Sequence, residues 1–353
     1  MPNSHLNRRQ FIRLNSTALA GAAIAPAAMT GEKQGALTGN TYGNQNRSPG
    51  FYRFPFGELE ITVLSDGHFH FPMQIVTVES PLELQAYGVD PATRGEYFRS
   101  RMVPSDHIPL QASPVLIDTG DRRTLVDSGL GTTETELIPP TAGHLGSSLE
   151  AAGVSPGSID QVVLTHAHPD HLGGLLDPAT GAPAFPDAEV VLSEEEFEFW
   201  TGDDAVPALE PVFAVEFAVE SMLEPARGVL GALDDRLRTV RAEEEVAPGI
   251  RSIPSPGHTP GHISVGVEGG GKQLLLTGDA IVFTHASFEH PEWELWTDLE
   301  RERAARTRRR LLDRAVADEM LMLGFHFPFP GLGYTLEYGD AFRWHPAGWT
   351  VLS

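Results

Sequence analysis

A short segment near the middle of the chain concentrates side chains that bind metal ions. Residues 165–174 read Thr-His-Ala-His-Pro-Asp-His-Leu-Gly-Gly and carry three imidazoles and one carboxylate, on His166, His168, Asp170 and His171. Imidazole and carboxylate ligands suit zinc and its first-row neighbours. Because the apolar run 162–164 comes directly before them, we expect these side chains on one short turn after a β-strand, where they can converge on a point. The spacing favours this interpretation over a surface loop that is histidine-rich by chance.

Three further positions could contribute ligands to the same centre. His258, Asp279 and His326 each follow a run of residues that predicts a β-strand, beside a glycine or proline that shapes a loop. Proteins of the α/β class gather functional side chains at the carboxyl ends of strands. A single histidine after a strand is usually structural, but three such positions together with the histidine-rich turn favour a metal centre.

Composition limits the possible partners and ligands. The chain has 353 residues, enough to bury a large core, and a formal net charge of −23. This charge argues against nucleic acid as a partner, because phosphate binding depends on Lys and Arg. The sequence contains no cysteine, so disulfides and thiolate ligands are excluded and any metal must bind His, Asp or Glu.

The first 50 residues are predicted to lie outside the folded domain. Residues 7–12 read Asn-Arg-Arg-Gln-Phe-Ile, and a small apolar segment with an Ala-Pro-Ala cleavage site at 25–27 follows. This pattern resembles a twin-arginine signal peptide over residues 1–27, which predicts a periplasmic or secreted protein. An uncleaved amphipathic helix is the alternative, and the segment is too short to span a bilayer. Residues 28–50 are rich in Gly, Asn and Thr and predict a flexible arm before a domain over 51–353.

Strand and helix signals alternate through that domain, which predicts an α/β protein with covered sheets. Ser193 followed by three glutamates predicts a helix that begins there and runs towards Trp200. Residues 203–235 are mixed helical and broken by prolines, so they predict a cap-like insertion. Further strands are predicted at 59–64, 114–118, 124–127, 161–164, 188–192, 250–253, 263–267, 273–276 and 319–323, and further helices at 145–152 and 297–318.

These motifs together resemble the metallo-β-lactamase superfamily over residues 51–353. The closest resemblance is to its methyl parathion hydrolase branch, through Pro-Gly-Phe-Tyr-Arg at 49–53, Leu-Ser-Asp-Gly at 64–67 and His-Phe-Pro-Phe-Pro-Gly-Leu-Gly at 326–333. The resemblance implies the αββα sandwich of the α/β (α+β) class, in which two mixed sheets pack face to face with helices outside. It also implies metals at one edge of the sandwich, and a homodimer.

Carried over residue by residue, the resemblance implies two divalent ions. The first would be held by His166, His168 and His258, the second by Asp170, His171 and His326, and Asp279 would bridge both. Two ions about 3.5–4 Å apart share a hydroxide of lowered pKa, which attacks a carbonyl or phosphoryl centre. Asp170 and Asp279 thereby receive catalytic roles, since Asp170 could also steer the hydroxide. Zinc is expected, with manganese, iron or cobalt as alternatives for a site without thiolate.

Residues around this set receive supporting roles. Asp66, Asp127 and His262 are candidates to hydrogen-bond and orient the ligands, because ligating histidines usually donate their second N–H to a carboxylate or carbonyl. The alternative for the two aspartates is turn chemistry, since both precede glycine-containing turns. Trp200 matches an aromatic pocket residue of the methyl parathion hydrolase branch, so it is predicted to bind substrate.

The expected activity is hydrolysis of a small apolar ester, lactone or organophosphate triester. One position departs from the pattern of quorum-quenching lactonases, which have a Tyr three residues after the bridging Asp, where this chain has Val282. This leaves the substrate class open. A glyoxalase II-like thioesterase, a mononuclear iron enzyme resembling persulfide dioxygenases and a non-catalytic metal-binding protein are the alternatives. No cluster of basic residues is visible that would receive glutathione.

Overall fold

Two mixed β-sheets form the centre of the computed structural model, which describes residues 50–71, 73–131, 141–214 and 216–348. The first sheet has its antiparallel strands at one end and its parallel strands at the other. In spatial order it consists of β1 (Phe51–Phe56), β2 (Leu59–Leu64), β5 (Val115–Asp118), β6 (Arg123–Val126), β7 (Gln161–Val163), β8 (Glu189–Ser193) and β9 (Leu237–Val240).

The second sheet follows the order of the chain, and only its central pair β13–β14 is parallel. It consists of β10 (Glu244–Ala247), β11 (Ile250–Pro254), β12 (Ile263–Gly269), β13 (Lys272–Leu276), β14 (Leu321–Leu323), β15 (Leu332–Tyr338) and β16 (Ala341–Pro346). A separate hairpin pairs β3 (Gly67–His70) with β4 (Pro109–Ala112) in antiparallel register. The sequence analysis assigns no element to this hairpin.

The helices of the described chain lie outside the sheets. They are α1 (Pro91–Ser100), α2 (Leu145–Ala151), α3 (Pro169–Leu172), α4 (Glu194–Thr201), α5 (Ala205–Leu209), α6 (Glu216–Ala232), α7 (Ala286–Glu289) and α8 (Arg301–Ala317), with short 3₁₀ turns between them. The Ser193 side chain accepts a hydrogen bond from the backbone N–H of Glu196, so α4 begins where its N-cap predicts. No helix in the described ranges is long and apolar enough to cross a membrane.

Alternation along the strands separates the apolar layers. In β7, Val163 faces the second sheet and packs in one cluster with Val265 and Leu276. Its neighbour Val162 faces outward into a cluster that includes Leu223 of α6. On the far side of the second sheet, residues of α8 close a third cluster. The four layers confirm the predicted αββα sandwich of two mixed sheets with helices outside.

Most predicted elements have their expected positions, with ends that differ by a few residues. The long charged helix predicted at 297–318 begins later, at Arg301, because Asp298 and Leu299 belong to the preceding loop. The insertion at 203–235 contains two helices, and Pro225 lies inside α6. The proposed signal peptide at 1–27 and nearly all of the flexible arm at 28–50 lie outside the described residues, so the structure does not bear on them.

Candidate metal centre

The structure brings the predicted ligands together at one edge of the sandwich. His166, His168, Asp170 and His171 lie on the turn between β7 and α3 and in α3 itself. The three remaining residues follow the ends of three strands of the second sheet, His258 after β11, Asp279 after β13 and His326 after β14. Three overlapping groups of these side chains have their ligand atoms within 4.8 Å of one another, and together they contain all seven residues.

Three histidines form the first group. The distance from His166 Nε2 to His168 Nδ1 is 2.9 Å, and that from His258 Nε2 to the same His168 atom is 3.0 Å. His166 and His258 are almost completely buried, and burial lowers the pKa of His166 and His168 well below the ordinary value, followed by repulsion from neighbouring imidazoles. The rings of His166 and His168 are therefore neutral at pH 7, the form in which imidazole binds a metal.

The second group combines Asp170, His171 and His326. Asp170 Oδ2 lies 3.6 Å from His171 Nε2 and 3.4 Å from His326 Nε2. Burial lowers the pKa of these two histidines, but the nearby carboxylates outweigh burial and hold both values above the ordinary one. This half of the centre is thus rich in negative charge, and a bound cation would balance that charge.

Asp279 lies between the two groups. Its Oδ2 atom is 3.4 Å from His258 Nε2 and 3.2 Å from His326 Nε2, while its Oδ1 atom is 3.3 Å from His171 Nε2. Burial raises the pKa of Asp279, but His326 and His171 outweigh burial and hold it well below the ordinary value, so the carboxylate is ionised. One carboxylate therefore faces ligand atoms of both groups, as a bridging ligand would.

The buried polar atoms at the centre test whether these residues fit metal ions. His171 Nε2 and Asp279 Oδ1 are both buried and have no hydrogen-bond partner in the described chain. Unpartnered buried polar atoms cost about 1–3 kcal/mol each, and native proteins rarely tolerate them without a ligand. A cation that accepts their lone pairs removes that cost. The donor set of imidazoles and carboxylates without sulfur thus fits divalent metals of the zinc and manganese type.

Hydrogen bonds from outside the group orient several of the histidines. His171 Nδ1 lies 2.9 Å from Asp127 Oδ2, and the same carboxylate accepts the backbone N–H of Thr165 at 2.8 Å. Asp127 has a positive φ of 58°, a strained conformation that also places its carboxylate beside the histidine turn. His326 Nδ1 donates to the backbone carbonyl of Gln111 at 2.7 Å. Asp127 therefore lies within hydrogen-bonding distance of a proposed ligand, and its orienting role stays a prediction.

His262 also occupies a supporting position. Its Nδ1 lies 2.8 Å from Ser255 Oγ, and its Nε2 accepts the backbone N–H of Asp279 at 3.0 Å. Burial, followed by repulsion from His258, lowers the pKa of His262 to about 3, which keeps the acceptor nitrogen unprotonated. Gly278 has a φ of +51°, and a Cβ atom there would lie 2.7 Å from this Nε2. Glycine is thus required where the loop of Asp279 passes the ring.

Asp66 forms hydrogen bonds with backbone groups and with none of the proposed ligands, which corrects the orienting role predicted for it. Its two carboxylate oxygens accept the backbone N–H groups of Leu130 and Leu145, at 2.8 and 2.7 Å. Burial raises its pKa to about 7 although these hydrogen bonds act in the opposite direction. In the described chain Asp66 therefore joins the loop after β6 to the start of α2, through backbone groups 64 and 79 residues away. These contacts are neither the predicted contact with a ligand nor the local turn chemistry that was the alternative.

Two buried carboxylates near the centre were not predicted. Asp298 Oδ1 lies 3.0 Å from His258 Nδ1, and its Oδ2 accepts from the fully buried guanidinium of Arg308 at 2.9 Å. Glu196 accepts four hydrogen bonds, from Ala167 N, Trp200 Nε1, Thr259 Oγ1 and Gly261 N. It thereby connects the loop of His166 and His168 to the loop of His258. From the sequence alone, Glu196 is predicted to be an exposed acid in the first turn of a helix.

A cavity of about 690 Å³ opens above the metal centre. His168, Asp170, His258, Asp279 and His326 form its floor, and apolar side chains dominate its walls. The β3–β4 hairpin contributes Phe69 and Leu110, the insertion contributes Phe213 and Phe217, and the loop after Asp279 contributes Val282 and Phe283. This volume and lining are typical of a site for a small apolar molecule.

Trp200 does not line this cavity, which corrects its predicted role in substrate binding. The side chain is completely buried in the core between the first sheet and the insertion. Its ring centroid lies 5.5 Å from that of His168, and its Nε1 donates to Glu196 Oε1 at 2.7 Å. Because α4 turns this side chain inward with Glu196, one turn earlier, Trp200 supports the His168 loop from behind.

The chain is similar in sequence to known metallo-hydrolases. A sequence model described as the metallo-beta-lactamase superfamily matches residues 107–326. A probable metallo-hydrolase of Mycobacterium tuberculosis is 27% identical over 199 residues, which cover 49% of this chain and 57% of that protein. An N-acyl homoserine lactonase of a Bacillus species is 27% identical over 187 residues, which cover 51% and 64%. The chain thus spans less than two thirds of these relatives' lengths.

A solved structure is similar over more of the chain. It is a dizinc quorum-quenching lactonase in complex with a product, N-hexanoyl-L-homoserine. Superposition gives a TM-score of 0.75 at 26% sequence identity, over 85% of this chain and 98% of the other.

Proposed function

The chain belongs to the metallo-β-lactamase superfamily, and from this premise we propose that it is an exported, dinuclear metal-dependent hydrolase of apolar lactones or esters. The observation that carries the proposal is the convergence of seven ligand-type side chains, five of which form the floor of an apolar cavity. His166, His168 and His258 would hold one ion, Asp170, His171 and His326 the other, and Asp279 both. Zinc is the proposed metal, and the exported location rests on the twin-arginine pattern alone.

The chain's own residues have distinct tasks in this reaction. When two divalent ions are bound, they supply Lewis acidity and lower the pKa of a water molecule so that it becomes a nucleophile. Asp170 is half-buried at the cavity floor, where its carboxylate can accept a hydrogen bond from that water. Phe69, Phe213 and Phe217 hold the apolar part of the substrate and exclude bulk water. The acyl carbon is thereby placed against the floor.

The walls and the relatives support lactones and esters as the first substrate class. The relatives include N-acyl homoserine lactonases, and the structural likeness described above is to an enzyme solved with an acylated product. Val282 contributes an apolar surface to the cavity where such lactonases have a Tyr. The motifs at 49–53 and 326–333 support a place near the methyl parathion hydrolase branch, and we propose aryl phosphotriesters as secondary substrates. We also propose a homodimer.

A substrate panel tests the proposed function. Zinc-loaded protein is assayed with γ- and δ-lactones of increasing acyl length, aryl esters, a methyl parathion-like triester, a glutathione thioester and a β-lactam. The proposal predicts the highest kcat/KM for an apolar lactone or ester and about two metal ions per chain by elemental analysis. Turnover restricted to the glutathione thioester would instead support the glyoxalase II-like alternative. One iron per chain without a second metal would contradict the dinuclear mechanism.

A further inference from the structure

The opening of the active-site cavity is negatively charged on one side. Helix α6 presents one face to the cavity, and the residues of this face are Phe217, Glu220, Ser221, Glu224, Pro225 and Val229. Glu220 and Glu224 are exposed to solvent although they line the cavity, so they lie at its opening. They are one helical turn apart, which places both carboxylates on the same side of the passage.

The cavity contains no balancing cation among the residues that the structure describes. Its lining includes Glu220, Glu224, Asp170 and Asp279 but neither a lysine nor an arginine. The nearest basic residue of α6, Arg227, donates to the backbone carbonyls of Trp200 and Gly202 and does not line the cavity. The overall charge of −23 has the same sign. An anionic ligand therefore meets repulsion at the opening before it can reach the metals.

We propose that Glu220 and Glu224 form a charge filter that selects neutral or cationic substrates and excludes anionic ones. The proposal rests on the proposed hydrolase function of the same site and defines the charge of its substrate. It predicts esters and lactones with uncharged apolar chains, and it disfavours acyl groups with a free carboxylate or phosphate. The apolar walls act in the same direction, because an anion loses hydration beside them and gains no countercharge from them.

The expected discrimination against anions follows from the distance between the substrate charge and the two glutamates in a solvent-filled opening. A substrate carboxylate about 10 Å from each glutamate, in a water-like dielectric, is disfavoured roughly fourfold by the two together at low ionic strength. Replacement of both glutamates by lysine reverses the interaction, so the total change is roughly fifteenfold. Salt at about 0.5 M shortens the Debye length to a few ångströms and removes most of the discrimination.

The test uses two esters of equal acyl length that end in a methyl group or in a carboxylate. Metal-loaded protein is assayed with 4-nitrophenyl pentanoate and with the mono-4-nitrophenyl ester of glutaric acid, at low and high salt. The measured quantity is the ratio of the kcat/KM values, neutral over anionic. We expect the ratio to fall roughly fourfold in E220Q/E224Q and roughly fifteenfold in E220K/E224K at low salt. The controls are E150Q/E337Q and E150K/E337K, which change net charge by the same amounts as the Gln and Lys variants at two exposed residues outside the cavity.

A binding measurement separates this proposal from the hydrolase function. N-phenyl-1-naphthylamine and its sulfonated analogue 1-anilinonaphthalene-8-sulfonate form a neutral and anionic pair of fluorescent probes, and their dissociation constants require no turnover. We expect E220K/E224K to tighten the anionic probe relative to the neutral one, whereas the control E150K/E337K leaves the ratio unchanged. Equal ratios in all proteins, or an equal shift in the control, would overturn the charge filter. Absence of ester turnover with a normal probe response would overturn only the hydrolase function.

Discussion

The buried contact between Asp298, His258 and Arg308 leads to the most specific prediction. Asp298 accepts hydrogen bonds through both carboxylate oxygens, one from the His258 ring and one from the Arg308 guanidinium. An Nδ1–H on His258 leaves its Nε2 lone pair directed at the metal centre. In Asp298→Asn one carboxylate oxygen is replaced by an NH₂ group, which can only donate. Either the His258 N–H or the Arg308 guanidinium then faces a donor and loses its acceptor. The substitution also leaves the buried Arg308 cation without its counter-charge.

The expected loss of stability follows from this burial. Both side chains of the Asp298–Arg308 ion pair are 0% exposed. Removal of one partner from a buried ion pair typically costs about 3–5 kcal/mol. Arg308 keeps its bonds to the backbone carbonyls of Ala280, Pro291 and Trp293, which favours the lower end of that range. A loss of about 3 kcal/mol lowers the melting temperature by roughly 4–5 °C for a protein of this size, because the unfolding entropy is about 2 cal/mol/K per residue.

The assay combines thermal unfolding with metal competition. Asp298→Asn is compared with wild type by calorimetry after chelation, and zinc affinity is measured against a chromophoric chelator. We expect zinc affinity to fall about 10–100-fold, because groups that orient metal-binding histidines have effects of this size. The matched control is Asp313→Asn on α8, the helix that carries Arg308, where Asp313 pairs with Arg309 at 3.5 Å and both are about half exposed. That pair contributes less than about 1 kcal/mol.

One outcome would refute the reasoning. If Asp298→Asn and Asp313→Asn melt within a degree of each other and bind zinc equally well, Asp298 neither balances Arg308 nor orients His258. A lower melting temperature with unchanged zinc affinity would confine its role to the ion pair.

Three further predictions concern the centre and its surroundings. Asp279→Ala should lower metal content by elemental analysis and kcat together, because the residue faces both groups of ligands; full activity would contradict the bridge. Trp200→Phe should lower the melting temperature by several degrees, because the hydrogen bond to Glu196 is lost. KM should change less than about twofold, and a larger change would support the substrate-binding role of Trp200. Asp66 has its folded pKa raised from 3.8 to about 7, so its contribution to stability is complete below pH 3.8 and is lost as pH rises through 7. The unfolding free energy of metal-free wild type, relative to Asp66→Asn, should therefore fall by a few kcal/mol between pH 4 and pH 7 in urea titrations; a constant difference would contradict the shift.

The strands and the ligand positions could be predicted because their signals are local. The apolar run at 161–164 and the histidine turn are adjacent in sequence, and each remaining ligand follows its own strand. Once the sheets pack face to face, the ends of those strands meet at one edge. The predicted αββα sandwich is confirmed, and the predicted ligands lie together within it, although their metal-binding roles are still a proposal.

The supporting contacts could not be predicted because they depend on how side chains turn in three dimensions. Asp298 lies 40 residues from its partner His258, and nothing in the local sequence separates it from the acids around it. Glu196 occupies a helix position where an exposed acid is common, and only the packing of two loops against α4 buries it. For Trp200 the sequence predicted a functional role where the structure shows a buried core residue. A large aromatic side chain near the ligand loop can pack in the core or line the cavity, and the sequence does not distinguish the two.

The position of Glu196 between two loops also concerns the order of folding events. One carboxylate receives hydrogen bonds from the loop after β7 and from the loop after β11, which belong to different sheets. In the unfolded chain, His166 and His326 are separated by most of the domain, so the full set of ligands assembles only after the two sheets have docked. Metal capture is therefore a late step, and its rate in refolding experiments reports on sheet docking. Until that step, four of the seven proposed ligands lie on one side of an unformed interface and three lie on the other.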